Sequence, residues 1–369
     1  MTSPNIGRLL NVLWLECEPD YLPLYEHFID YEIVEAISGR RIKPIPSYLD
    51  PAYRKLRKED KLWNIHILID FYSKIGFDYV PFEVSPKLPQ RVERATEDLA
   101  IHRRSLRFYT DESRGLINSW DAFDAFEWPE KEEAIDYEWF ELFEKELPEN
   151  MGVIGGVSGG FFERTIWAVG FVPFFRLLHT DLPFLKKVAE KICEVIFQVE
   201  SELCKYECIV AVRKGDDMGY KKGTLIPPRI LKGIFLPWHK KLVETAHKHD
   251  KPYILHSCGN ISTIIDDLIN WVRIDAKHSF EDVIQPVSEF KEKYGDKVAV
   301  LGGVDVDKLS RYSPEEVKQY VKDIIGQCAP GGGYALGSGN SIANYIPMRN
   351  FLAMLSTWRK LREYPKRYL

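Results

Sequence analysis

Seven short apolar runs, each separated from the next by a segment of helical spacing and a polar or glycine-rich turn, constrain this chain more than any other feature. They are FDYVPFEV (77–84), MGVIGGV (151–157), ECIVAVR (207–213), PYILHS (252–257), WVRIDAKHS (271–279), KVAVLGG (297–303) and GYALGSG (333–339). Several are rich in Val and Ile and continuously apolar, which is how strands buried on both faces of a parallel sheet read. Between them lie helical stretches such as LPFLKKVAEKICEVIFQVESEL (182–203) and SPEEVKQYVKDIIGQ (313–327). The second opens with a capping box, Ser313 at the N-cap and Glu316 three residues on, with Pro314 at the first helical position. Such alternation implies right-handed crossovers and an α/β fold with a mostly parallel sheet. At 369 residues and without a dinucleotide loop, a closed (β/α)8 TIM barrel fits better than an open sheet, with seven strands placed and the eighth not.

Two stretches fall outside the rhythm. Residues 1–75 read as a helical elaboration that closes the base or wall of a barrel formed by residues 76–369. LRFYTDESRGLINSW (106–120) reads as a hairpin inserted after the first strand, two β-prone arms around DESRG. A net charge of −5, from 50 basic and 55 acidic side chains, argues against a binder of nucleic acid driven by phosphate neutralisation. No apolar run approaches the roughly eighteen residues of a membrane span. The start, MTSPNIGRLLNVLW, lacks the charged head and cleavage site of a signal peptide. Six scattered cysteines do not form a disulfide scaffold, so the expectation is a soluble cytoplasmic enzyme with reduced thiols.

In a barrel, functional groups gather at the carboxyl ends of the strands. Those ends carry Glu83, Ser158, Asp216, Asp217, His256, Cys258, Lys277, His278, Ser279, Asp305, Ser338 and Asn340. The sharpest signal is ILHSCGN (254–260), where strand alternation puts His256 and Cys258 on one face. Imidazole and thiolate are ligands zinc prefers; the structural alternative is a packed histidine beside a small buried thiol. Zinc needs a third ligand, for which Glu83, Asp217 and His278 are the candidates, whereas the other five cysteines read as structural. Of the adjacent Asp216 and Asp217, one is expected to face the site and the other to cap the loop. His278 is a candidate acid, ligand or loop hydrogen-bond partner. The glycine-dense GGGYALGSGNSI (331–342) fits neither a Walker loop nor a dinucleotide fingerprint, and GGFFERTIW (159–167) offers aromatics, Phe161 among them, for a pocket wall.

Taken together, ILHSCGN, DAKHSFED, VAVLGGVDV and YALGSGNSIANYIP, in this order, resemble the uroporphyrinogen decarboxylase superfamily over about residues 205–360, more loosely over 76–204. The resemblance implies a (β/α)8 barrel and one of two chemistries, decarboxylation or zinc-dependent methyl transfer involving corrinoid proteins. The decarboxylases carry an N-terminal Arg-Gln-Ala-Gly-Arg motif and a Gly-His-Gly. Here RLLNVLWLECEPDY (8–21) and Gly337-Ser338-Gly339 stand instead, and only Arg103, Arg104 and Arg107 keep that alternative open. His-x-Cys-Gly at 256–259 looks like the zinc motif of methylcobamide:thiol methyltransferases, but their third ligand, a cysteine, is replaced by Ser338.

KHSFED and LGSGNSIANYIP are most similar in style to the methyltransferases of corrinoid-dependent O-demethylase systems. That likeness implies demethylation of a small methoxylated compound, an aryl methyl ether above all, with the methyl group passed to the cobalt of a corrinoid protein. It implies zinc on His256, Cys258 and Glu83. Asp217, His278 and Glu281 become catalytic candidates, and Ser338, Asn340, Asp216 and Phe161 substrate contacts. The chain has no Asp-x-His-x-x-Gly cobalamin anchor, so the corrinoid would arrive on the partner. A homodimer is a candidate assembly, and a non-catalytic ligand-binding barrel is the third reading.

Overall fold

Each of the seven apolar runs contributes a strand to one parallel sheet in the computed structural model, which describes residues 3–45, 55–94, 108–111 and 113–363. The strands are β1 (Tyr79–Val84), β2 (Gly152–Val157), β3 (Ile209–Gly215), β4 (Tyr253–His256), β5 (Ala276–His278), β6 (Ala299–Leu301) and β7 (Tyr334–Ala335). They lie side by side in sequence order, every pair parallel, with helices around them, and the sheet curls into a TIM barrel. All six residues of β2 and all four of β4 are buried, which accounts for the absence of polar alternation in those runs. Helix Leu182–Leu203 turns Leu185, Val188, Ile192, Val195, Ile196 and Val199 to the sheet at spacings of three and four. Each such burial contributes roughly 1.5–3 kcal/mol. Asp181 caps its start, accepting the Phe184 N–H at 3.1 Å. The capping box at Ser313 and Glu316 forms as the sequence predicts. Among the described residues, no helix is long and apolar enough to cross a membrane.

The place of an eighth strand is taken by the segment at residues 21–30, which sequence rhythm did not mark. Leu24 and Ile29 bridge in parallel to Leu336 and Ile342, and Tyr25 N–H donates to the Leu336 carbonyl at 2.8 Å. On the other side the Tyr79 hydroxyl donates to the Glu26 carbonyl and accepts the Glu26 N–H, both at 2.8 Å. A side-chain hydroxyl on β1 therefore stands in for a backbone ladder. Gly337 makes this closure sterically feasible, since a Cβ there would lie 1.6 Å from the Tyr25 carbonyl oxygen. The N-terminal region also contains helices Gly7–Leu13, Tyr31–Ser38 and Lys58–Ile75.

The hairpin expected at 106–120 does not form in that register. Phe108–Thr110 pairs antiparallel with Val92–Arg94 instead, and Trp120–Ala125, part of the expected second arm, is helical. Ser119 is the physical reason, because its hydroxyl accepts the Ala122 N–H at 3.2 Å and starts that helix. Residues 106, 107 and 112 lie outside the described residues, as do Arg103 and Arg104.

Candidate metal centre

Sheet register brings the histidines together. His256, the last residue of β4, is paired with His278 on β5 and with Gly215 on β3. The His256 and His278 Nδ1 atoms lie 2.7 Å apart. His278 Nε2 stands 3.1 Å from the Ser338 carbonyl, which can only accept, so Nε2 carries the proton and Nδ1 is the lone-pair nitrogen. It follows that His256 donates from Nδ1, leaving its Nε2 lone pair free. Burial keeps both rings neutral, pushing His278 down to about 3 and His256 well below the usual imidazole range.

The free lone pair of His256 faces two further donors. Cys258 Sγ lies 3.3 Å from it and Asp217 Oδ1 3.9 Å. Asp217 is positioned by accepting the Cys258 N–H at 2.8 Å. Asn340 Nδ2 donates to Cys258 Sγ at 3.2 Å, and the Ser279 hydroxyl approaches it at 3.7 Å. Donor atoms of Asp217, His256 and Cys258 all lie within 4.8 Å of one another. Tetrahedral zinc with ordinary Zn–S and Zn–N bonds would set sulfur and nitrogen about 3.5 Å apart, close to what is found. The donor set fits that ion: one nitrogen, one sulfur and one carboxylate oxygen. Burial, with the Asp217 charge, pushes the Cys258 thiol up, and burial raises Asp217 as well.

A second group, His27, His256 and His278, also has converging donor atoms. His27 stacks on His256 with ring centroids 3.9 Å apart, and its buried Nδ1 has no hydrogen-bond partner. Both nitrogens of His278 are already hydrogen-bonded, so an ion there would have to break the chain that fixes His256. The mixed trio requires no such break.

Several sequence-predicted residues are placed elsewhere. Glu83 is not among the residues that converge on the trio; Arg213 Nε donates to its carboxylate at 3.0 Å. Asp216 is fully buried and caps helix Phe161–Val169, accepting from Phe162 and Glu163 N–H, with His239 Nε2 at 2.9 Å. That leaves no face of Asp216 for a substrate. Phe161 is also fully buried, edge-on to His239 at 4.9 Å, and forms core instead of pocket wall. The Ser338 hydroxyl turns to Glu26 Oε2 at 2.6 Å, so Ser338 is neither ligand nor substrate contact. Asp305 caps helix Val306–Arg311. Glu281 is half-buried on a cavity of about 220 Å³ beside the trio, which it shares with Lys277 and Ser279.

The model of the uroporphyrinogen decarboxylase (URO-D) family matches residues 114–361, more than half of the chain. The chain belongs to this family. A solved methyltransferase from Methanosarcina mazei is similar in fold, with a TM-score of 0.66 at 14% identity over 96% of this chain and 98% of that one. No curated protein matches in sequence. Three parts of the URO-D barrel's site were invisible in the sequence reading. Glu26 and His27 come from the closing segment, and Glu26 grips Ser338 through its N–H at 2.7 Å and its hydroxyl. Burial pushes Glu26 up to about 8. Glu163, beside Asp217, is held well above the carboxyl range by burial and by that neighbour's charge. Only the charged residues within LYEHFIDYE (24–32), in an otherwise apolar stretch, could have signalled the first two.

Proposed function

We propose that the protein is a zinc-assisted methyltransferase that demethylates a small methoxylated compound, an aryl methyl ether above all, and passes the methyl group to the cobalt of a corrinoid protein. The observation that carries this reading is the His256 Nε2 lone pair facing Cys258 and Asp217, a nitrogen–sulfur–oxygen set with room for a fourth ligand. Family membership and the likeness in fold to a methyltransferase support it. His256, Cys258 and Asp217 would hold the ion, which supplies a Lewis acid for the ether oxygen. Such assistance is needed because the carbon–oxygen bond breaks toward an alkoxide or phenoxide, a poor leaving group. The cobalt of the partner is the nucleophile, so no side chain has to attack carbon.

The chain's own residues then do three things. Glu26, Ser338 and His278 fix the His256 tautomer through successive hydrogen bonds, as outer partners of metal-bound histidines do. Asn340 and Ser279 direct hydrogen bonds at the Cys258 sulfur and orient it. Glu163 keeps its proton at neutral pH beside Asp217 and can supply it to the departing oxygen. The test mixes the protein with zinc, a reduced corrinoid protein and a panel of methoxyarenes. The expected result is the methyl-cobalt spectrum, lost on chelation. Silence with every methoxy, methylamine and methylthiol donor would remove the proposal.

A further inference from the structure

We infer that the cavity beside the trio binds a carboxylate-bearing aromatic molecule, with its anionic end on Lys277 and its ring among Phe280, Phe290 and Tyr294. Lys277 is 4% exposed and lines this cavity of about 220 Å³. Its ammonium donates one hydrogen bond, to the Ser279 carbonyl, and among the described residues has no carboxylate within ion-pairing distance. An ammonium has three donors, so two are left for a ligand. A buried cation without a counter-charge is costly, and an anion entering the cavity relieves that cost. Glu281 lines the same cavity but makes no ion pair with Lys277.

The other walls select for a ring. Lys277 Nζ stands 4.2 Å from the Phe280 centroid and 5.6 Å from that of Phe290, and both phenyl groups line the space with Tyr294. The volume is below the roughly 300 Å³ at which drug-sized pockets begin, so it suits a single ring. The cavity and the trio share a wall, because Ser279 lines one and reaches Cys258 Sγ of the other. On the demethylation reading, the inference names the substrate as a methoxylated aromatic acid; the anion site itself stands apart from that reading.

The experiment is calorimetric titration of the chain with benzoate and with benzamide, its uncharged isostere. Benzoate is expected to bind roughly ten- to hundredfold tighter, the worth of a hydrogen bond to a charged group. In Lys277→Met that difference should vanish while benzamide binds as before. Equal affinities for the two ligands in the unsubstituted chain would overturn the inference without any variant having to fold. A carboxylate preference that survives Lys277→Met would overturn it too. The titration needs neither zinc nor corrinoid, so the two readings fail separately. A carboxylate preference lost in Lys277→Met, with no donor of methyl groups found, keeps the anion site and removes the demethylase. Methyl transfer from neutral ethers with no carboxylate preference does the reverse.

Discussion

The His256 imidazole has one nitrogen bonded and one free, and that division governs what Cys258 can do. Without an ion, the thiol proton lies against the Nε2 lone pair, and burial keeps the sulfur protonated through neutral pH. An ion taking that position has to displace the proton. His256 itself is neutral there and contributes no second proton. Zinc affinity is therefore expected to rise about tenfold per pH unit over roughly pH 6.5–8.5, with close to one proton released, as read by competition with a coloured chelator. An affinity flat in pH would contradict a thiol ligand. At this scale the sequence was most legible where strand alternation determines direction, at His256 and Cys258. Asp217 was legible only as one of two neighbouring carboxylates, because nothing local says that Asp216 meets the start of helix Phe161–Val169. The assignment of Ser338 to substrate failed for another reason. Its backbone carbonyl serves the site, and residue identity does not reveal a carbonyl's role.

Among the elements, the closing segment at 21–30 has the strongest influence on the site. It contributes no ladder strand, yet it brings Glu26 and His27 to residues some three hundred positions away, as the Glu26–Ser338 pair shows. Gly302 serves the same end. Its φ of +80° is left-handed, and a Cβ there would lie 2.2 Å from the Ser338 carbonyl oxygen and 2.9 Å from the His278 ring. Because the folded state raises Glu26 from 4.5 to about 8, it favours the protonated acid. The stability this confers is fully present below the unfolded value near 4.5 and is lost as pH rises through about 8. Glu26→Gln, which cannot ionise, should lose less stability than the unsubstituted protein on going from acidic to mildly alkaline pH, by more than about 1 kcal/mol in urea unfolding. Parallel pH profiles for the two proteins would contradict it. The segment escaped the sequence reading because Pro23 and several charges interrupt its apolar pattern. The misplaced hairpin has a related cause, since the partner of Phe108–Thr110 lies earlier in the chain and not across the nearest turn.

For the whole molecule, the barrel was legible because strands buried on both faces leave continuous apolar runs, and strand order follows sequence order. The centre was half legible: two of its three donors lie on one strand end, and the third depends on how β3 and β4 meet. Closure matters here as much as the ligands do, since the chain from Glu26 through Ser338 and His278 to His256 spans both termini of the fold. The most direct test is a crystal grown with zinc and measured at the zinc absorption edge. The account predicts one anomalous peak per chain, within bonding distance of His256 Nε2, Cys258 Sγ and an Asp217 oxygen. A peak between the His27 and His278 rings, or no peak beside the Cys258 sulfur, would contradict it.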